Sequence, residues 1–133
     1  MNVVLDINIL ISAAIAKGKP RRLLIKGINK EFDIVASKQL LNELKEVISR
    51  PKLKLSLTEA DKFVSTVKRT VKLVEINSNF KVVEEDPADD SILNVAYDSK
   101  ADYIVSGDSH LLNLKKFKKI KIVTADEMLK ILE

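Results

Sequence analysis

The sequence contains no cysteine, which removes disulfide frameworks, thiolate metal sites and cysteine nucleophiles together. Its single histidine, His110, leaves no imidazole pair for concerted acid–base chemistry. Three glycines and three prolines in 133 residues argue against a loop-rich or repeat architecture. There is also no long uninterrupted apolar run. The opening MNVVLDINILISAAIAKG is broken by Asp6 and has no basic residue ahead of it. It therefore reads neither as a signal peptide nor as a membrane helix, and the expectation is a cytoplasmic protein with no membrane partner.

What is present is ordinary for a folded domain. Hydrophobic residues make up 46% of the chain and charged residues 32%, so residues 1–133 read as one globular unit with a core of its own. The net charge is +4 and the isoelectric point near 9.2. Such a surplus favours a polyanionic partner, but many proteins without one share it.

Short Val- and Ile-rich runs alternate with stretches of helical period. Strands are predicted over 3–5, 32–36, 71–76, 103–106 and 120–123, and helices over 8–16, 21–29, 38–49, 59–70, 90–99 and 125–132. Pro20 and Pro51 punctuate helices, and Thr124 with Glu127 forms a capping box ahead of the last one. Alternation of this kind implies an α/β domain with a largely parallel sheet. The runs VVL and YIV are apolar throughout, as strands buried on both faces should be. Ligands in such sheets bind beyond the carboxyl ends of the strands.

Carboxylates occupy those places. Asp6 follows the first apolar run and Asp108 follows the fourth. Each has an alternative reading as a helix cap, a stronger one for Asp108 than for Asp6, since Asn8 is the better cap for the first helix. Glu43 borders the apolar stripe of Leu40, Leu41, Leu44, Val47 and Ile48, where an acid is either wet or meets something positive. Glu84-Glu85-Asp86-Pro87-Ala88-Asp89-Asp90 places five acids in seven residues, more than first-turn capping requires. If Asp6, Glu43, Asp90 and Asp108 converge, they raise one another's pKa unless a cation sits among them. Oxygen-only donors select a hard ion, Mg²⁺ or Mn²⁺.

Four segments carry a resemblance to one family. Leu5-Asp6-Ile7-Asn8-Ile9-Leu10 resembles the opening motif of PIN domains, and the helix bearing Glu43 resembles the second. Asp86-Pro87-Ala88-Asp89-Asp90-Ser91 resembles the third, and Ala101-Asp102-Tyr103-Ile104-Val105-Ser106-Gly107-Asp108 the fourth. The order is the family's own, and the similarity is greatest to its toxin branch.

The resemblance implies a three-layer α/β/α fold with a central, largely parallel sheet, and metal-dependent endonucleolytic cleavage of RNA. It maps the catalytic and metal-binding acids onto Asp6, Glu43, Asp90 and Asp108, with Asn8, Ser12 and Ser106 as polar supports. The choice between Asp89 and Asp90 falls on Asp90 by the family spacing, with Asp89 suited to capping. Asp86, Asp89, His110, Lys115 and Lys116 are left to the rim or to RNA contact. Ile7 stands where the family usually has Thr or Ser, and His110 where another Asp is common. A cognate antitoxin and a homodimer, formed through the apolar helices at 8–16 or 23–28, are further family expectations. The alternative is a degenerate module that binds RNA or a protein partner without cutting. A phosphatase with an aspartate nucleophile fits poorly, since the second Asp it needs is Asn8.

Overall fold

The computed structural model describes residues 1–83 and 86–133. Val3, Val4 and Leu5 are fully sequestered because the strand they form, β1 (Asn2–Leu5), lies inside a parallel sheet and is covered on both faces. It pairs in parallel with β2 (Asp33–Ala36) on one side and β4 (Tyr103–Val105) on the other. With β3 (Lys72–Leu73), β5 (Lys116–Phe117) and β6 (Ile120–Val123), the sheet order is β3-β2-β1-β4-β6-β5. Only β5 among the described strands runs antiparallel.

Helices cover both faces, giving three α/β/α layers. Val3 and Leu5 face a core built with α1 (Ile7–Ile15), α2 (Lys19–Ile28), α3 (Lys38–Ile48), α4 (Leu57–Thr70) and α7 (Ala125–Ile131). Val4 and Ile104 face the opposite core, closed by α5 (Pro87–Asp98) and the short α6 (Ser109–Leu112). This is the period-two division that a pleated strand imposes. The capping box at Thr124 and Glu127 forms as predicted, and a second, at Ser56 and Glu59, opens α4. No described helix is long and apolar enough to cross a membrane.

Three local expectations are corrected. The third strand, predicted over 71–76, pairs only at Lys72 and Leu73. The lysine-rich run at 115–119, whose Lys115 and Lys116 the sequence reading leaves to the rim or to RNA contact, contributes β5 as a hairpin against β6. Asp6, not Asn8, caps α1, accepting from the Ile7 N–H at 2.7 Å.

Beyond β3 the chain crosses α5 as an extended strap, whose backbone groups need partners the sheet does not give. A polar ladder on α5 supplies them. Asp98 accepts from the N–H groups of Asn77 and Ser78 at 2.7 and 2.9 Å. Asn94 accepts from Phe80 N–H at 2.7 Å and donates to Phe80 C=O at 3.2 Å. Asp90 accepts from Val82 and Val83 at 2.8 and 2.7 Å. These residues are spaced by four, so they share one helix face. Phe80 completes the fastening by packing edge-on against Tyr97 and Phe117, with the Lys118 ammonium 5.3 Å from its ring centroid.

Among the described residues, five non-glycine residues adopt positive φ, and all are lysines: Lys30, Lys54, Lys100, Lys115 and Lys118. Lys30 and Lys100 stand just past α2 and α5, where the 6→1 bonds Glu31 N–H to Lys26 C=O and Ala101 N–H to Ala96 C=O close the helix. Glycine is the usual occupant of that left-handed position.

The ladder predicts that Asn94→Ala lowers stability by about 2–3 kcal/mol, because the Phe80 backbone pair is left without partners. Thermal melting with amide exchange at Phe80 checks this; unchanged melting and exchange would rule out the ladder as the strap's anchor.

Candidate metal centre

Parallel pairing of β1 and β4 sets Leu5 beside Val105, so the residues following the two strands emerge together at the carboxyl edge. Asp6 is 5% exposed, and its Oδ2 accepts from the Ser106 hydroxyl at 2.8 Å. Ser106 in turn accepts from the Asp108 N–H at 2.9 Å. One buried hydroxyl thus fixes both strand-end aspartates. Asp108 caps α6 through the His110 N–H at 2.7 Å, and Asp86 caps α5 through the Ala88 N–H at 3.0 Å. With Asp6 on α1, three helix N-termini are capped by acids of one site, each dipole favouring negative charge there.

The acids line a cleft of about 410 Å³ containing Asp6, Asn8, Glu43, Asp86, Asp89 and Asp108. Carboxylate oxygens of Asp86, Asp89 and Asp108 lie within 4.8 Å of one another. Asp89 is 4% exposed, and its Oδ2 is fully buried without a hydrogen-bond partner among the described residues. A buried anionic oxygen in that condition is costly unless a cation completes it. The donors are all oxygen, so a hard divalent ion fits this pocket.

Charge crowding shows in the protonation equilibria. Burial, then the fields of Asp108, Asp86 and Asp6, push the Asp89 pKa up to about 6. Burial also raises Asp6, against the hydrogen bonds from Ser106 and Ile7 that hold it down. Loss of solvent raises Glu43, with Asp6 and Glu46 adding to it.

Of the acids read from the sequence, Asp6, Glu43 and Asp108 line one cleft together with Asn8, and Asp108 alone among them belongs to the close carboxylate group. Ser106 is the buried tie described above, whereas Ser12 is not among the cleft residues. The placement of Asp90 is corrected: its carboxylate is turned to the strap, in a separate groove with Phe80 and Asn94. Asp89 lines the cleft and Asp86 caps α5, whereas the sequence reading assigns the site to Asp90, the cap to Asp89 and the rim to Asp86. The signal was available in Asp90, Asn94 and Asp98, a polar stripe at intervals of four that served no visible purpose without the strap. Glu84 and Glu85, part of the same acidic run, lie outside the described residues. His110 is exposed beside the cleft, and its field lowers the Asp89 pKa. Lys115 and Lys116 line a different groove, with Lys121 and Glu127.

These shifts predict a pH dependence. A carboxyl with a raised folded pKa favours folding while protonated, so its contribution is complete below about pH 4 and lost as pH rises through about 6. Asp6 and Glu43 act in the same direction. Asp33, Asp98 and Asp126 are depressed, so their contribution is already complete above about pH 4. With chelator present, the protein should lose stability relative to Asp89→Asn between pH 5 and 7, and millimolar Mg²⁺ should restore it. Parallel melting-temperature profiles for the two proteins would exclude a strained charge at Asp89.

A model of the PIN domain matches residues 2–110, while no curated protein matches the chain. The matched span runs from β1 into α6 and takes in every acid of the cleft. The chain therefore belongs to the PIN-domain family, whose members are generally nucleases.

Proposed function

We propose that this protein is a Mg²⁺- or Mn²⁺-dependent endoribonuclease and the toxin of a toxin–antitoxin pair. The observation that carries the metal-dependent part is the orphaned Asp89 oxygen in a cleft shared with Asp86 and Asp108. The RNA substrate and the toxin role rest on the motif resemblance and the basic surplus.

Asp86, Asp89 and Asp108 would hold the ion, with Asp6 beside them. When bound, it would polarise a phosphoryl oxygen and lower the pKa of water at the site. The protein's own groups do the rest. Ser106 and the Ile7 N–H fix both oxygens of Asp6, so that carboxylate meets the substrate without reorganising. Glu43, at the solvent side of the cleft with a raised pKa, accepts the proton of the attacking water. Attack at phosphorus forms the new P–O bond as the bond to the leaving ribose oxygen breaks, and that oxygen takes its proton from solvent at the open side of the cleft. Apolar Ile7, Ile11, Leu40 and Ile92 limit water around the reacting phosphate.

The antitoxin in this reading covers the cleft and inserts a basic side chain among the carboxylates. A homodimer contact through the first two helices would use Ile15 and Ile25, which remain exposed; Ile9, Leu10, Leu23 and Leu24 are already buried in the core. One feature favours the second reading, a binding module that does not cut: Ile7 brings no hydroxyl to the cleft.

The test is cleavage of a single-stranded RNA panel, with a matched DNA arm, in Mg²⁺, Mn²⁺ or EDTA. RNA should be cut only with metal, and Asp89→Asn should reduce the rate at least about 100-fold. Asp90→Asn should stay within a few-fold of wild type in rate. Binding of RNA without cleavage in any metal would select the non-cutting module, and loss of activity in Asp90→Asn alone would reverse the assignment of the two aspartates.

A further inference from the structure

The sequence holds two prominent basic clusters, and neither supplies the positive side of the acidic cleft. Lys19 is paired with Asp126 at 2.6 Å, and Arg21 donates to the carbonyls of Ala13 and Ala14 at 2.8 and 3.0 Å, closing the end of α1. Lys115 and Lys116 open onto another groove. Among the described residues, the basic side chains that line the acidic cleft are Arg50 and Lys52. Arg50 follows the C-cap of α3, and Lys52 sits in the 3-10 turn Pro51–Leu53.

Their arrangement follows from α3. Leu40, Glu43 and Val47 recur at helical spacing along one face of α3, and Arg50, just past its end, lines the cleft with them. Arg50 is seven positions beyond Glu43, about 10 Å at helical rise, with the last two positions past the end of α3. Val47 and Leu53 form an apolar stretch beside the cations. The Arg50 charge reaches Glu43, where it opposes the shift caused by the other acids. One guanidinium nitrogen of Arg50 contacts Glu46 at 3.1 Å, and both partners are exposed. Such a pair is weak and leaves most of the five guanidinium donors available.

A cleft of about 410 Å³ is at the small end of ligand sites, so a polymer reacting at the carboxylates must continue past its edge. The carboxylates themselves repel every phosphate not matched to a cation. A chain that leaves over Val47 and Leu53 escapes that repulsion and meets Arg50 and Lys52. Resting on the nuclease reading above, we infer that Arg50 and Lys52 are the phosphate-gripping end of the cleft. They hold the backbone of a single-stranded RNA next to the scissile group and so require substrates longer than a single nucleotide. Arg50 grips as a planar fork and Lys52 as a point charge.

The test uses a fluorescent single-stranded RNA dodecamer and the double variant Arg50→Gln/Lys52→Gln. In active protein the variant should raise KM about 10-fold with kcat within a factor of two. Bound to Asp89→Asn in Mg²⁺, its salt slope should flatten by about 1.4, the loss of two single-strand phosphate contacts. Glu46→Gln, which frees Arg50, should tighten binding, and Lys26→Ala/Lys130→Ala, which removes equal charge from α2 and α7, should change KM less than two-fold. Mn²⁺ affinity by titration calorimetry and the melting temperature should match the parent protein, excluding damage to the acids or the fold. An unchanged KM and slope while the parent cuts RNA normally would overturn this inference alone. A parent that neither binds nor cuts RNA would overturn the nuclease reading and this inference with it.

Discussion

Helix α5 makes two incompatible demands on its acids, and the division between them organises this end of the molecule. One face must satisfy the backbone of the strap that lies across it, and Asp90, Asn94 and Asp98 do so with bonds of 2.7–3.2 Å. The adjoining face, a turn's fraction away, carries Asp89 into the cleft. Adjacent residues on a helix point about 100° apart, so two neighbouring aspartates serve unrelated purposes. The strap also leads toward Asp86, whose carboxylate starts the helix and joins the site. Fastening the strap and placing the acids are therefore one structural problem.

The second constraint is concentration of like charge. Parallel pairing brings Asp6 and Asp108 to a common edge, and α5 adds Asp86 and Asp89. The fold offsets part of that repulsion with helix termini and with the Ser106 hydroxyl. It leaves a remainder, visible in the raised pKa of Asp89 and in an oxygen with no protein partner. That incompleteness is what separates this cluster from a set of ordinary caps. Capping and site membership are not alternatives here, because Asp6, Asp86 and Asp108 do both.

Much of this was legible in the sequence, and for physical reasons. Strands buried on both faces must be apolar throughout, which made VVL and YIV recognisable and put Asp6 and Asp108 at strand ends. An acid on the margin of an amphipathic helix marked Glu43. The choice between Asp89 and Asp90 was not legible by spacing. It depends on what packs against α5, and the strap's first residues read as strand because Val74 and Ile76 are β-branched and apolar at alternate positions. Arg50 and Lys52 were equally hidden, since beside Pro51 they look like the punctuation of a helix end. Their significance needs the three-dimensional fact that α3 runs along the cleft. The lysine-rich run at 115–119 drew attention by density alone, which carries no information about which groove it faces.

The five lysines in left-handed conformations bear on evolution as much as on stability. Glycine would relieve the backbone at each position, though at Lys118, in the β5–β6 turn, it would also remove the cation over the Phe80 ring. Yet substitution at all five would take the net charge from +4 to −1. Five of the 23 lysines and arginines thus stand where the backbone disfavours a side chain. A lineage that drifted toward conformational ease at these ends would become acidic, and its long-range attraction for a polyanion would change sign. Surface potential and backbone comfort therefore pull in opposite directions at the same residues.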